Sequence, residues 1–463
     1  LNLPLFSEDN KIKMNTKHFI ISAVIFILAA KGISAQTAVL PQSISYDQAL
    51  DFSIRNNPDS KIQDLNYNIS QEKLSESRLK RAPQIYGKYD LQRNLVIPTT
   101  LVPIGRFIPG STSDDLTPIK FGTNWYSGIG LYGSVRIFDP SVSGDIKEKK
   151  SLLAISDIDR QKEKIDILTE TGKAYISCIL ACEQLKYAAE DTVNGRMQFA
   201  EISSKYEKGL LKLTDLNQAK LDLNTSISRC SESEKVYNES LKTLLFWMGF
   251  SQENSPQFVL TDTLGLLLDK LGKTGDNNTN FEASLTSRRN QLQDQLNRVL
   301  LKNTKSGFLP VVSLNGFYSG DYYNNQLHIS DGRFWFGNSS VNLSVKIPLT
   351  EGIDRTKRIS QYKYQIEADK ESSVSELNQK SLALQKALDN LAFYRKETTL
   401  KKENIILTKS NFETAFALFK NGRLLPSELS NADLTYKKAK IDFLNVIYNY
   451  LNTLIELKRI KES

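Results

Sequence analysis

From Asp145 to Lys208 the chain is almost free of proline and glycine, and its apolar residues return with a helical period. Ile158, Ile165, Gly172 and Ile179 recur every seven positions, and Leu168, Tyr175, Cys182 and Ala189 form a second series offset by three. Paired series of this kind are the a and d positions of a coiled coil, and the small residues among them predict close helix approach. At ~1.5 Å per residue such a helix is on the order of 90–100 Å long, which suits a structure crossing a compartment. Gly209 breaks the run, and a second long helix is predicted from Thr214 to Met248.

Upstream, Ser45 to Lys80 also reads as helix. Ser45 with Gln48 has the form of a capping box, and Asn56-Asn57-Pro58 interrupts the helix because proline restricts the residue before it. After Pro83 the period changes to two. Ile85, Tyr89 and Leu91 alternate with Lys88, Asp90 and Gln92, and after a loop from Arg93 to Asn124 a second strand carries Trp125, Ile129, Leu131, Val135 and Ile137 on one side. This alternation fits either a barrel strand between lipid and water or a half-buried strand of a soluble sheet.

The order then recurs. Helix is predicted from Phe281 to Lys305, strands around Val312–Ser319 and Trp335–Ile347, a long helix from Asp354 to Lys420 with Leu377, Leu384 and Leu391 every seven residues, a turn at Gly422 and a last helix to the C-terminus. Pro83 matches Pro310, Val135 matches Val345 and Gly209 matches Gly422, with offsets of 227, 210 and 213. The offset drops in the first strand–strand loop, where an insertion costs least. The match at the turns extends to Asp215-Leu216 against Glu428-Leu429. The predicted organisation is therefore two internal repeats, 36–250 and 281–463, joined by a linker at 251–280 that contains the apolar patch Leu264–Leu268. The helix opening the second repeat lacks the proline of the first and reads about a turn short.

The N-terminal region changes the compartment. Met14 to His18 precedes an apolar run from Phe19 to Ala30, and Ser34-Ala35 closes a small-residue cleavage pattern. Residues 14–35 read as a secretory signal peptide, preceded by an upstream segment, Leu1 to Lys13, outside the natural-looking start. Gln36 would follow cleavage, so no lipoprotein cysteine is expected there. No other stretch is apolar enough for a transmembrane helix, so any insertion must use strands. Two repeats supply four strands per chain, too few to close a barrel, and open edges are not tolerated in lipid. The strands must close by oligomerisation or lie outside a membrane.

Composition narrows the chemistry. Net charge is +8 over 463 residues, with the basic residues scattered among acids along the helices, which argues against a nucleic-acid footprint. Cys178, Cys182 and Cys230 give no disulfide framework and read as packing residues. His328 stands alone in the mature chain. Gly272-Lys273-Thr274 lacks the upstream glycine of a phosphate loop. No catalytic residue, metal site or cofactor is predicted, and there is no Gly-x-Ser-x-Gly elbow.

Taken in order and in duplicate, the entry Ser45-Tyr46-Asp47-Gln48-Ala49-Leu50 with Asn56-Asn57-Pro58, the strand openers Ala82-Pro83 and Gly307-Phe308-Leu309-Pro310, the strand ending Val345-Lys346-Ile347-Pro348-Leu349 and the Tyr/Phe-x-x-Gly turns resemble the TolC family of outer-membrane efflux proteins. The resemblance implies an α+β membrane protein, a homotrimer with a long coiled-coil α-helical barrel and a transmembrane β-barrel of twelve strands. It implies a place in the cell outer membrane, among its lipids, reaching into the periplasm. It implies a passive duct in a tripartite efflux or type I secretion system, with a periplasmic adaptor (membrane fusion) protein and an inner-membrane transporter of the RND or ABC type. It places a periplasmic constriction at Glu428 and Asn431, although Asn431 lacks the expected charge. It places adaptor-docking tips at Gly209, Leu210 and Leu211 and at Gly422, Arg423 and Leu424. On the residues alone, Glu428 also reads as a solvated helix acid and the glycines as plain helix reversals. The competing reading is a periplasmic coiled-coil scaffold or adhesin with its strands in a soluble domain.

Overall fold

The computed structural model describes residues 42–103, 116–250, 258–272, 284–350 and 352–463; the signal-peptide reading and both ends of the 251–280 linker lie outside them. The helices are α1 (Tyr46–Asn56), α2 (Pro58–Leu79), α3 (Pro140–Glu207), α4 (Leu213–Trp247), α5 (Leu264–Gly272), α6 (Leu285–Ser306), α7 (Asp354–Lys420) and α8 (Pro426–Glu462). The strands are β1 (Ser43–Ile44), β2 (Gln84–Arg93), β3 (Thr99–Pro103), β4 (Leu116–Lys120), β5 (Trp125–Phe138), β6 (Val259–Leu260), β7 (Val311–Asn324) and β8 (Trp335–Lys346). Helix α3 has 68 residues and α7 has 67, about 100 Å each at ~1.5 Å per residue. No described helix is long and apolar enough to cross a membrane.

Local chemistry sets the helix starts. Ser45 and Gln48 close the predicted capping box: the Gln48 N–H donates to Ser45 Oγ, and the Ser45 N–H donates to Gln48 Oε1 at 2.9 Å. Asn57 caps α2 through the Asp59 N–H at 2.8 Å, with Pro58 at the first helical position. Helix α6 has 22 residues, the same as α2, so the expected missing turn is not missing. Its start is capped by Ser284, which accepts from the Ser287 N–H, and needs no proline.

The main sheet is four-stranded and antiparallel throughout, in the order β2-β5-β7-β8. Its registers put Ile85, Tyr89, Ile129, Leu131, Leu314, Tyr318, Val341 and Leu343 on one face. Gln84, Lys88, Ser134, Asn315, Ser319, Asn338 and Asn342 occupy the other. The apolar face is open: Ile85 is 75% exposed and Val341 79%. Among the described residues, strands β2 and β8 have no partner on their outer sides.

One expectation fails in the first strand–strand connection, which is not a plain loop. Thr99–Pro103 pairs with Leu116–Lys120 as a separate two-stranded ribbon, with Leu101 opposite Pro118. Each strand of a lone ribbon has a free edge, so a proline without an N–H is tolerated, and the proline-rich sequence hid the pairing.

The helical core is wider than the predicted seam in one place and narrower in another. Between Thr171 and Ala181 nearly every residue of α3 is buried, because α1, α4, α5 and α8 all pack on this stretch. Ile176 and Leu180 meet Leu444, Ile447, Leu451, Leu454 and Ile455 of α8, and Leu264, Leu268 and Leu271 of α5 dock on the cluster. The Leu264–Leu268 patch is therefore a packed element. By contrast Ile165, Leu168 and Cys182 are half-buried and Ala189 is exposed. Cys178 is fully buried, and burial pushes its thiol up to about 12, as suits a packing residue.

The hub is tied to the short strands. Strand β1 pairs in parallel with β6, Ile44 opposite Leu260. The Tyr46 N–H donates to Asp262 Oδ2 at 2.6 Å, and the Tyr175 hydroxyl lies 3.0 Å from the same oxygen and 3.1 Å from the Ile44 carbonyl. Gly172 makes this possible: a Cβ there would sit 2.8 Å from the Tyr46 hydroxyl and 3.1 Å from Ile455 Cδ1. Gly172→Val is expected to destabilise the purified protein by about 1–3 kcal/mol through overpacking. The check is a lowered midpoint of the helical circular-dichroism melt; an unshifted midpoint would show that the contact relaxes freely.

Candidate functional site

The two helix turns lie side by side at the end of the long helices. Gly209 has φ +73° and Gly422 φ +71°, the left-handed region in which a side chain is strained. Nothing lies within 4 Å of a Cβ added at either glycine, so backbone conformation alone requires them. The closing bonds are the same at both turns. Gly209 N–H donates to Tyr206 O at 2.8 Å and Leu210 N–H to Lys205 O at 2.9 Å; Gly422 N–H donates to Phe419 O at 3.0 Å and Arg423 N–H to Leu418 O at 2.9 Å. Both are Schellman caps. The Lys205 ammonium crosses between them, donating to the Phe419 carbonyl and lying 4.0 Å from the centre of the Phe419 ring.

Packing divides the predicted tip residues into two groups. Leu211 and Leu424 turn inward onto a cluster built from Ile202, Ala219, Phe412, Phe419, Leu429 and Tyr436. Leu210, at 69% exposed, and Arg423 turn outward. Leu213 and Leu425, which the sequence did not single out, are exposed beside them. Their signal was available: Leu425 stands at the N-cap of α8, where a capping residue usually sits, and Leu213 opens α4 directly after its N-cap Lys212.

Glu428 and Asn431 lie one turn apart on α8 and are both exposed. The Glu428 carboxylate already has a structural task. The Leu425 N–H donates to its Oε2 at 3.1 Å, as the Lys212 N–H donates to Asp215 Oδ2 at 3.2 Å on α4. Each acid satisfies one of the unbonded donors at a helix start and faces the positive end of its helix.

Below the turns the interface between α3, α4 and α8 is polar and buried, a feature the sequence reading did not find. Lys437 Nζ is 2.6 Å from Asp433 Oδ2, with both side chains 9% exposed, and donates to Ser226 Oγ at 3.1 Å. Lys440 Nζ, almost fully buried, reaches Asp191 Oδ1 at 2.5 Å and lies 4.4 Å from the centre of the Tyr436 ring. Ser430 Oγ donates to Asp222 Oδ2 at 3.0 Å. A cavity of about 80 Å³ opens among Gln198, Asp222, Ser226, Ser430 and Asp433, and Asp433 Oδ1 faces it without a protein donor. That volume has room for water, and the lining can hold it. Burial pushes the Asp433 carboxyl up against the opposing pull of Lys437.

A chain with two paired long-helix hairpins, capped alike and joined to an open amphipathic sheet, invites comparison with known proteins. No family model matches it. The curated TolC proteins of Escherichia coli (strain K12) and Salmonella enteritidis are each 19% identical, over 330 and 335 residues that cover 70% of this chain. The match spans 66% of the length of each of these relatives. Among solved structures, the CmeC outer membrane channel of Campylobacter jejuni superposes with a TM-score of 0.69 at 15% identity, over 90% of this chain and 85% of that one. The outer membrane protein VceC of Vibrio cholerae gives 0.69 at 12% identity, over 90% and 96%.

The chain is similar in sequence to the TolC proteins and has the fold of these outer membrane channels.

Within that family fold, the buried pairs of α8 face α3 and α4, and their energetics are testable. Lys437→Met leaves a buried carboxylate uncompensated and is expected to cost about 3–5 kcal/mol. The paired replacement Asp433→Leu with Lys437→Met is expected to recover most of that loss, because a well-packed apolar pair avoids desolvating two charges. Thermal midpoints of the single and double variants check this. A double variant as unstable as the single would show that the cavity, and not the ion pair, sets the cost.

Proposed function

We propose that the chain is the outer-membrane exit channel of a tripartite efflux or type I secretion system, a passive duct with no catalysis. Three copies contribute four strands each to one twelve-stranded barrel, and their long helices form a tunnel through the periplasm. The two repeats, 36–250 and 281–463, are then the structural units of each copy, with 251–280 between them. A periplasmic adaptor protein engages the exposed side chains of the turns, Leu210 and Arg423 together with Leu213 and Leu425. An inner-membrane transporter of the RND or ABC type supplies the driving force.

One observation carries this reading: an amphipathic sheet whose apolar face is exposed and whose two edge strands are unpaired. A soluble scaffold or adhesin would need a covering layer over Ile85, Leu131, Val341 and Leu343, and among the described residues these side chains are all exposed. In hydrocarbon the same face is at home. Trp125 and Trp335 sit on that face at the strand ends remote from the long helices, where an interfacial aromatic girdle belongs. The names of the relatives, outer membrane protein TolC and the CmeC outer membrane channel, support the same location and role.

Cell fractionation and detergent gels test the location. The protein is expected in the outer-membrane fraction with heat-modifiable migration; recovery wholly in the soluble fraction overturns the channel. A ring of three Glu428 carboxylates is expected to favour cations. Glu428→Gln removes the charge while its amide oxygen still accepts from the Leu425 N–H, so the helix start is kept. Reversal potentials in planar bilayers are expected to show reduced cation preference, and unchanged selectivity would remove Glu428 from the constriction.

A further inference from the structure

The polar face of the main sheet carries a feature that a water-filled wall does not need. Tyr86 of β2, Tyr132 of β5 and Phe317 of β7 are direct cross-strand neighbours on that face. Their rings form a continuous stack, Tyr86 to Tyr132 at 5.5 Å and 14° between planes, Tyr132 to Phe317 at 5.5 Å and 24°. Tyr86 at the open end of the stack is 54% exposed. A second aromatic row lies six residues further along β5, roughly 20 Å away at ~3.4 Å per residue. There Tyr126 pairs with Tyr323 at 5.3 Å, and Tyr323 with Phe336 at 6.4 Å.

Between the two rows the polar groups are occupied with each other. Asp321 Oδ1 accepts from the Tyr126 hydroxyl at 3.2 Å and Asp321 Oδ2 from Asn338 Nδ2 at 3.1 Å. Lys88 Nζ pairs with Asp90 Oδ2 at 2.8 Å. Gly128 and Gly130 hold this stretch of β5 bare: a Cβ at Gly128 would lie 2.6 Å from the Tyr126 hydroxyl, and one at Gly130 2.7 Å from Ser319 Cβ. Lys88 and Asp90 thus neutralise each other, and the Asp321 carboxylate keeps its charge but is buried and held by neutral donors, so the most accessible binding surface on this face is aromatic.

We infer that the Tyr86–Tyr132–Phe317 row is a transit subsite for organic cations that carry an aromatic ring. The inference rests on the duct reading, in which the polar face of the sheet lines the lumen. A flat ring gains by stacking on the open face of Tyr86 and along the apolar strip of ring edges. A cationic group gains further from the electron-rich ring faces. Contacts worth about 1 kcal/mol each slow such a molecule without trapping it, as a passage requires. Cross-strand aromatic pairs also stabilise sheets, so the test must separate binding from folding.

The experiment is block of single-channel current in planar bilayers by the full-length protein, with the probe added on the side of the strands. Benzyltrimethylammonium is compared with tetraethylammonium, which has the same charge and no ring. The expected result is half-block by the aromatic probe at roughly fivefold lower concentration. Tyr132→Leu keeps an apolar side chain at the site and is expected to abolish the difference, while Tyr132→Phe retains it. Equal block by the two probes in the unaltered protein overturns the subsite and leaves the duct intact. So does a difference that survives Tyr132→Leu combined with Phe317→Leu in a variant that still conducts. A protein that forms no conducting unit of any kind overturns the duct reading, and the subsite with it.

Discussion

Everything in this molecule depends on the unpaired edges of the β2-β5-β7-β8 sheet. An edge strand of ten residues such as β2 turns roughly five N–H and five C=O groups outward. In water these groups are solvated and the edge is only an aggregation hazard. In hydrocarbon each unsatisfied group costs several kcal/mol, so one open edge forfeits more than the ~5–15 kcal/mol that stabilises a typical fold. The exposed apolar face forces the complementary choice, because Ile85 and Val341 lose free energy in water. In the proposed channel, closure of β2 on the β8 of another copy would satisfy both demands at once. The helices would follow from the same constraint, since strands joined into a ring would carry their attached helices into a ring as well.

The helical part meets a different demand. Helices of 67 and 68 residues cannot be held by their own turns, and their packing changes character along their length. At the hub, α3 is buried nearly all round by four other helices and the contacts are apolar. Below the turns α4 and α8 close over it, and there Asp191, Asp433, Lys437 and Lys440 enter the interface. Apolar pairs there would favour tighter packing. The buried charges, with a cavity large enough for water beside them, tie α8 to a single register against α3 and α4 only where each ion finds its partner.

What the sequence disclosed follows how local each signal is. The Ser45–Gln48 capping box and the two glycine turns are written in neighbouring residues, and all were legible. So was the period-two pattern that sorts the two faces of the sheet. The buried lysines were not, because Lys437 and Lys440 look like ordinary helix-surface charges until α3 and α4 are known to close over them. The β3–β4 ribbon was hidden by Pro103 and Pro118. Glu428 was found for one reason and has another: its bond to the Leu425 N–H is half a capping box, masked because Leu425 stands where a serine or threonine normally caps.

The two tasks of Glu428 constrain each other. As a cap, the carboxylate must stay at the first turn of α8, within reach of the Leu425 N–H. As a ring of charge it would have to project toward a lumen. Both hold only if the start of α8 itself borders the lumen, because the bond fixes the carboxylate within one turn of the helix end. The positive end of α8 then stands behind the acid and offsets part of its charge. At such a constriction Glu428 would act through a field shared with its own helix, and Asn431, one turn further along, would extend the polar surface without adding charge. In the proposed duct the aromatic row would discriminate by a different property, because its contacts depend on the shape and rings of the cargo and not on its charge alone.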